Sequence, residues 1–216
     1  MNPVEQQLAL ALIEVGAIKF GEFRLKLHEK NPDAPLSPIY LNLRTPDNPK
    51  SGPLTPQIVD TAAQCMSRIA RDLEHHFDLV AGVPRAGDPF AARLAVYSEV
   101  SLLKLDKHED VDKRNISRII EGAWMPGGSV LLVDDLITQA DSKLEAIRVL
   151  EKNGLRVRDA VVLVDREQGG VTGLARFGCT LHTIFTLTEL LDFYVAESRI
   201  PPEKRDKVLE YVKNNS

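Results

Sequence analysis

The chain has 216 residues, of which 44% are apolar and 27% charged, and its net charge is −4. That length accommodates one α/β domain with a small appendage, with core enough to dispense with disulfides or metal. The negative balance argues against a dedicated nucleic-acid or membrane-surface protein, which would present a basic face, and no apolar run is long enough to span a bilayer.

Apolar positions recur at helical spacing over about residues 3–16 (Val4, Leu8, Ala11, Leu12, Val15), with Gly16 as a stop. This N-terminus has no basic region ahead of its apolar stretch and does not read as a signal peptide. "AIKFGEFRLKL" reads as a hairpin turning at Gly21, "HEKNPDAPLSP" as a loop and "IYLNLR" as a short strand. The punctuation "TPDNPKSGPLTP" divides the chain into an N-terminal part, 1–50, and a main part, 51–216.

The main part alternates. A helix over about 55–76 precedes the strand "DLVAGVP", the helix "PFAARLAVYSE" and the strand "VSLLKL". The stretch from Asp106 to Arg118 carries too many charges to pack and is expected to be a mobile surface lid. The strand "SVLLVDD", the helix "SKLEAIRVLEKNG", the strands "VRDAVVLVD" and "LHTIFT" and two helices follow, the last opened by "IPPEK". Continuous Val/Leu runs between amphipathic helices predict an α/β fold, a parallel sheet covered on both faces. Cys65 and Cys179 lie in apolar-periodic segments and read as core residues of a reducing, cytoplasmic compartment. His75 and His76 are expected at a helix end, with no third ligand nearby for a metal.

Ligands of parallel sheets bind beyond the carboxyl ends of the strands, and four of those junctions are polar or Gly-rich. Asp134 and Asp135 close the strand "VLLV"; adjacent carboxylates there repel unless a cation or a sugar diol compensates them, or they form a solvated pair with one member capping a helix. The turn Thr138, Gln139, Ala140, Asp141, Ser142 enters a helix whose free amides suit a phosphate, although it lacks glycines. "GVPRAGDP" offers amides and Arg85 to a pyrophosphate, or is a plain connection. Arg166 leaves a buried strand between two acids, as a carboxylate clamp or as an ion pair with Asp165 or Glu167.

"VLLVDDLITQADSK" resembles the signature of type I phosphoribosyltransferases. "KFGEFRLK", "SPIYLNLR", "VAGVPRAGDPFAARLA", "IIEG", "LVDREQGG" and "LHTIFTLTELLDF" are similar to the orotate phosphoribosyltransferases, including the form fused within UMP synthase. The resemblance runs through nearly the whole chain in order. It implies a type I core under a small N-terminal hood, and transfer of ribose 5-phosphate from PRPP to orotate with Mg²⁺. It also implies a cytoplasmic homodimer, and the possible company of an orotidine phosphate decarboxylase. By the same resemblance Asp134 and Asp135 hold the ribose diol, with either able to serve Mg²⁺, and Thr138 to Ser142 hold the 5′-phosphate. Arg85 and its turn face the pyrophosphate, Lys26 and Arg166 face the pyrophosphate or orotate end, Tyr40 borders the base, and Lys107 is the acting lysine of the lid.

The chain departs from that pattern in three places. The usual Thr-Thr-Gly-Gly-Ser turn reads Thr-Gln-Ala-Asp-Ser, so Asp141 is expected to repel a phosphate ~5 Å away by roughly 1–3 kcal/mol per charge. As an N-cap, Asp141 would also occupy the amides a phosphate needs. Lys26 is followed by an apparent insertion, "LHEKNPDAPLSP", and the lid carries added acids. Two expectations follow: a working transferase with an altered phosphate loop, or a weakened relative that binds a nucleotide or regulates a partner.

Overall fold

The structure is a computed structural model describing residues 1–25, 28, 31–110 and 113–215, with the side chains of 107–110 and 113–115 outside the description. Helix α1 (Pro3–Glu14) starts in a capping box made by Asn2 and Glu5. Strands β1 (Ile18–Phe23) and β2 (Ser37–Leu41) pair antiparallel as a separate small sheet. Gly21 is therefore not a hairpin turn. It lies inside β1 beside a register shift between Phe20 and Phe23, and the chain returns only at Ser37.

Helix α2 (Pro56–Arg71), capped by Thr55, leads to β3 (Leu79–Gly82), α3 (Asp88–Ser98), β4 (Ser101–Asp110) and β5 (Lys113–Glu121). Then come β6 (Ser129–Ile137), α4 (Asp141–Lys152), β7 (Arg156–Asp165), α5 (Gly170–Ala175) and β8 (Thr180–Thr186). Helices α6 (Leu187–Ala196) and α7 (Pro202–Asn214) end the described chain. The short α5 carries no sequence period and was not expected.

The main sheet has the order β5-β4-β3-β6-β7-β8, parallel except for the antiparallel pair β4–β5. Alternate residues of its strands go to opposite cores. Val80, Leu131, Val133, Val161 and Leu163 pack with α1, α2, α3, α6 and α7, while Ala81, Val130, Leu132, Ala160 and Val162 pack with α4. Both faces being dry, the strands read as unbroken apolar runs. Tyr194 of α6 donates to the carbonyl of Ala9 at 2.7 Å, tying α1 to the main sheet's core.

The irregular loop expected from Asp106 to Arg118 is corrected: its charged residues lie on the β4–β5 hairpin, of which residues 111–112 and the side chains of 107–110 and 113–115 fall outside the description. Alternation explains the difference: Leu105 and Ile116 are buried, while Lys104–Glu121 at 2.6 Å and Arg118–Asp106 at 3.5 Å pair across the solvated side. The histidine expectation is also corrected. Helix α2 stops at Arg71, and His75 Nδ1 and His182 Nε2 flank the buried Asp159 carboxylate at 3.1 and 2.8 Å. No helix among the described residues is long and apolar enough to cross a membrane.

Candidate active site

The crossovers after β3 and β6 diverge: α3 covers one face of the sheet and α4 the other. Neighbouring strands whose connections part in this way leave a crevice at their carboxyl ends. Three turns meet there, after β3, β6 and β7.

The turn after β3 is held against β6 by the Val83 amide, which donates to the Val133 carbonyl at 2.8 Å. Gly87 is obligatory, because a Cβ there would come within 2.3 Å of the Val133 oxygen. Arg85, next to a cis Pro84–Arg85 peptide, is exposed at the mouth.

The β6 turn contains Thr138 and Ser142, both half-buried, the exposed Gln139 and the buried Ala140. Ala140 rests on α5, where a Cβ at Gly173 would approach the Ala140 Cβ to 2.8 Å. The glycine absent from the turn is thus replaced by one in the helix behind it. The plug expected from Asp141 is corrected: α4 has Ala140 at its N-cap with no side-chain cap, and Asp141 is its exposed first residue. The first amides of α4 are not claimed by that carboxylate. Its charge remains beside them, and Asp141→Gly is expected to tighten PRPP binding by about tenfold, read as a Kd by calorimetry; an unchanged or weaker Kd would refute this account.

The acid pair is buried and compensated from within. Lys143, itself buried, places its ammonium on the Asp134 carboxylate and on the Leu136 carbonyl. The Asp135 amide donates to Asp134 Oδ1 at 2.9 Å. Burial first, and then the adjacent Asp134, push the Asp135 carboxyl well above its ordinary range, against the pull of Lys143 and Arg44. Sequence reasoning passed over both cations. Lys143 did leave a signal, since with Ala146, Ile147 and Leu150 it forms the buried i, i+3, i+4, i+7 stripe of α4.

Arg166 follows β7, its amide donating to the Ile137 carbonyl at 2.9 Å, which seats it level with the turn after β6. The ion pair considered for it is not made by either neighbour. Asp165 accepts the Glu167 amide at 2.8 Å, and Glu167 takes the Thr188 amide and hydroxyl at 2.7 and 2.6 Å. Arg166 Nε and Nη2 are buried without a hydrogen-bond partner among the described residues. Burial lowers the guanidinium pKa from its ordinary value, partly offset by Tyr211.

Tyr40 is half-buried in the hood, its ring 5.6 Å from that of Phe23. Lys26 lies outside the described residues; Lys107 belongs to β4 by its backbone, with its side chain outside the description. Among the described residues no group of three or more His, Cys, Asp or Glu is placed to hold a metal. Two clefts of about 350 and 490 Å³ lie elsewhere, neither lined by a strand-end residue.

A mainly parallel sheet with a helix-entry turn at its switch point belongs to the class of doubly wound α/β proteins, whose ligands bind at that crevice and whose helix N-termini there suit a phosphate. The phosphoribosyl transferase domain model matches residues 54–175. The chain is 35% identical over 210 residues to uridine 5′-monophosphate synthase of Bos taurus, covering 97% of this chain and 41% of the relative. It is 29% identical over 203 residues to orotate phosphoribosyltransferase of Caenorhabditis elegans, covering 93% and 82% respectively. The solved Leishmania donovani UMP synthase matches with a TM-score of 0.78 at 28% identity, covering 97% of this chain and 42% of that one. The chain thus spans less than half the length of the UMP synthases it matches. It belongs to the type I phosphoribosyltransferase family, with orotate phosphoribosyltransferases and UMP synthases as its relatives.

Proposed function

We propose that the chain transfers ribose 5-phosphate from PRPP to orotate, producing orotidine 5′-phosphate and pyrophosphate on the route to UMP. The observation that carries this reading is Arg166: a buried guanidinium edge that no carboxylate among the described residues takes, level with the turn after β6. Nε–H and Nη2–H are the parallel donors of one fork, the geometry that accepts a planar carboxylate.

In this reading the amides opening α4, with Thr138 and Ser142, take the 5′-phosphate, and the Val83–Gly87 turn with Arg85 faces the pyrophosphate. Tyr40 borders the base, and Lys26 faces the pyrophosphate or orotate end. Breaking the anomeric bond leaves positive charge on the ribose and negative charge on pyrophosphate. Asp134 and Asp135 favour the first. With Asp134 already paired to Lys143, the donor set fits a Mg²⁺ carried by the polyphosphate and met by Asp135, because Mg²⁺ is commonly held by one or two carboxylates plus substrate phosphates. That ion supplies charge neutralisation at the leaving pyrophosphate. Lys107, on the β4–β5 hairpin, would neutralise the same group if that hairpin closes over the crevice. A cytoplasmic homodimer, with an orotidine phosphate decarboxylase fused or separate, belongs to the same reading.

A second reading, a weakened relative that binds a nucleotide, is favoured by Lys143, which neutralises from inside one of the two carboxylates. Pyrophosphate release from PRPP with Mg²⁺ and orotate separates the two: release above background is expected, and none at saturating substrate would eliminate the transferase. Arg166→Lys, which keeps the charge but loses the fork, is expected to raise the KM for orotate by about ten- to hundredfold while sparing that for PRPP. Equal losses for both substrates would detach Arg166 from the base.

A further inference from the structure

Among the described residues, three buried side-chain polar atoms lack a hydrogen bond: Arg166 Nε, Arg166 Nη2 and Tyr211 Oη. They belong to two residues, and Tyr211 acts electrostatically on the Arg166 guanidinium. Both residues are more than nine-tenths buried, at 6% and 8% exposure. Proteins seldom leave such groups without partners, because each costs its full desolvation penalty and a charged one costs more. Arg166 sits beside the turn after β6, and a ligand that supplied partners to both residues would remove that cost.

The backbone holds the pair in place. Tyr211 lies on the inner face of α7 with Val208 and Val212. Its carbonyl accepts from the Asn215 side chain at 2.8 Å, and the Asn215 carbonyl accepts from Gln168 Nε2 at 3.2 Å. Gln168 is two residues beyond Arg166. The turn that carries the arginine is therefore clasped to the end of the C-terminal helix.

We propose that Tyr211 is a specificity-determining residue of the base site, its hydroxyl contacting the ring of a planar carboxylated base whose carboxylate lies in the Arg166 fork. This rests on the transferase reading and adds α7 to the elements that choose the base. A fork alone accepts any carboxylate. A phenol at a set position beside it asks for a ring nitrogen or carbonyl next to the carboxylate, and in a water-excluded site such a contact discriminates strongly.

Tyr211→Phe removes the hydroxyl and leaves the ring. Steady-state kinetics with PRPP, Mg²⁺ and orotate, together with equilibrium binding of orotate and uracil, should show the orotate KM and Kd rising about three- to tenfold. The kcat and the PRPP KM should stay within about twofold and the preference for orotate over uracil should narrow. The melting temperature should be unchanged or higher, since the lost hydroxyl has no hydrogen-bond partner among the described residues; a purely structural tyrosine would leave the orotate KM and Kd alone. If the unaltered chain turns over orotate and Tyr211→Phe matches it, this proposal fails and the transferase reading stands. If the unaltered chain neither releases pyrophosphate nor binds orotate, the transferase reading fails and takes the proposal with it.

Discussion

Replacing Lys143 by methionine is expected to lower the melting temperature by about 6–20 °C. The side chain is nearly isosteric, so packing along the α4 stripe is kept and the charge is what goes. Asp134 is 5% exposed, and Lys143 is the ammonium that faces it. Removing one member of a buried pair strands the other, at about 3–5 kcal/mol. For a domain of this size each kcal/mol moves the midpoint by about 2–4 °C. Asp134→Asn in the same chain should restore most of the loss, because the stranded charge is then gone. A single variant that melts with the unaltered protein would mean that Lys143 is solvated and not paired. Lys143 also lies in the first turn of α4, where the helix dipole disfavours a cation. Its position there is explained by the diacid, not by the helix.

Asp135→Asn is expected to be more stable than the unaltered chain at neutral pH and nearly inactive. Burial and Asp134 raise the folded-state pKa of this carboxyl above its unfolded value. A group raised in this way is unstrained below the unfolded carboxyl pKa of about 3.9 and costs stability as pH rises through the folded value. The stability difference between the variant and the unaltered chain should therefore vanish in acid and grow toward neutrality. Paired thermal scans across that range measure it directly, and a difference of constant size would show that Asp135 ionises freely. The activity loss, at least about a hundredfold in kcat/KM, follows if this carboxylate stabilises charge on the ribose. Stability given up at a strand end for chemistry is a common trade in active sites.

The sequence alone determined the alternation of strands and helices, the position of Arg166 just past a strand, and the helix-entry turn after the diacid. These features are local, since unbroken Val/Leu runs mark strands dry on both faces; the diacid itself lies inside β6, which pairs with β7 as far as Ile137. The N-terminal hairpin and the form of the charged segment were misread for local reasons as well. Gly21 looked like a turn, and the charges from Asp106 to Arg118 hid the alternation that buries Leu105 and Ile116.

What the tertiary structure decided is which charges have partners. Asp141 looked like a cap and is exposed, because α4 begins one residue earlier than its pattern suggests. Lys143 had no assigned role in the sequence and reaches back across the turn to Asp134. Arg166 had two acids beside it in sequence and takes neither, since one binds the Glu167 amide and the other the start of α6. Tyr211, 45 positions further on by number, comes near it through the packing of α7. The energy of a charged group depends on what lies within a few ångströms in space, and neighbours along the chain leave that open.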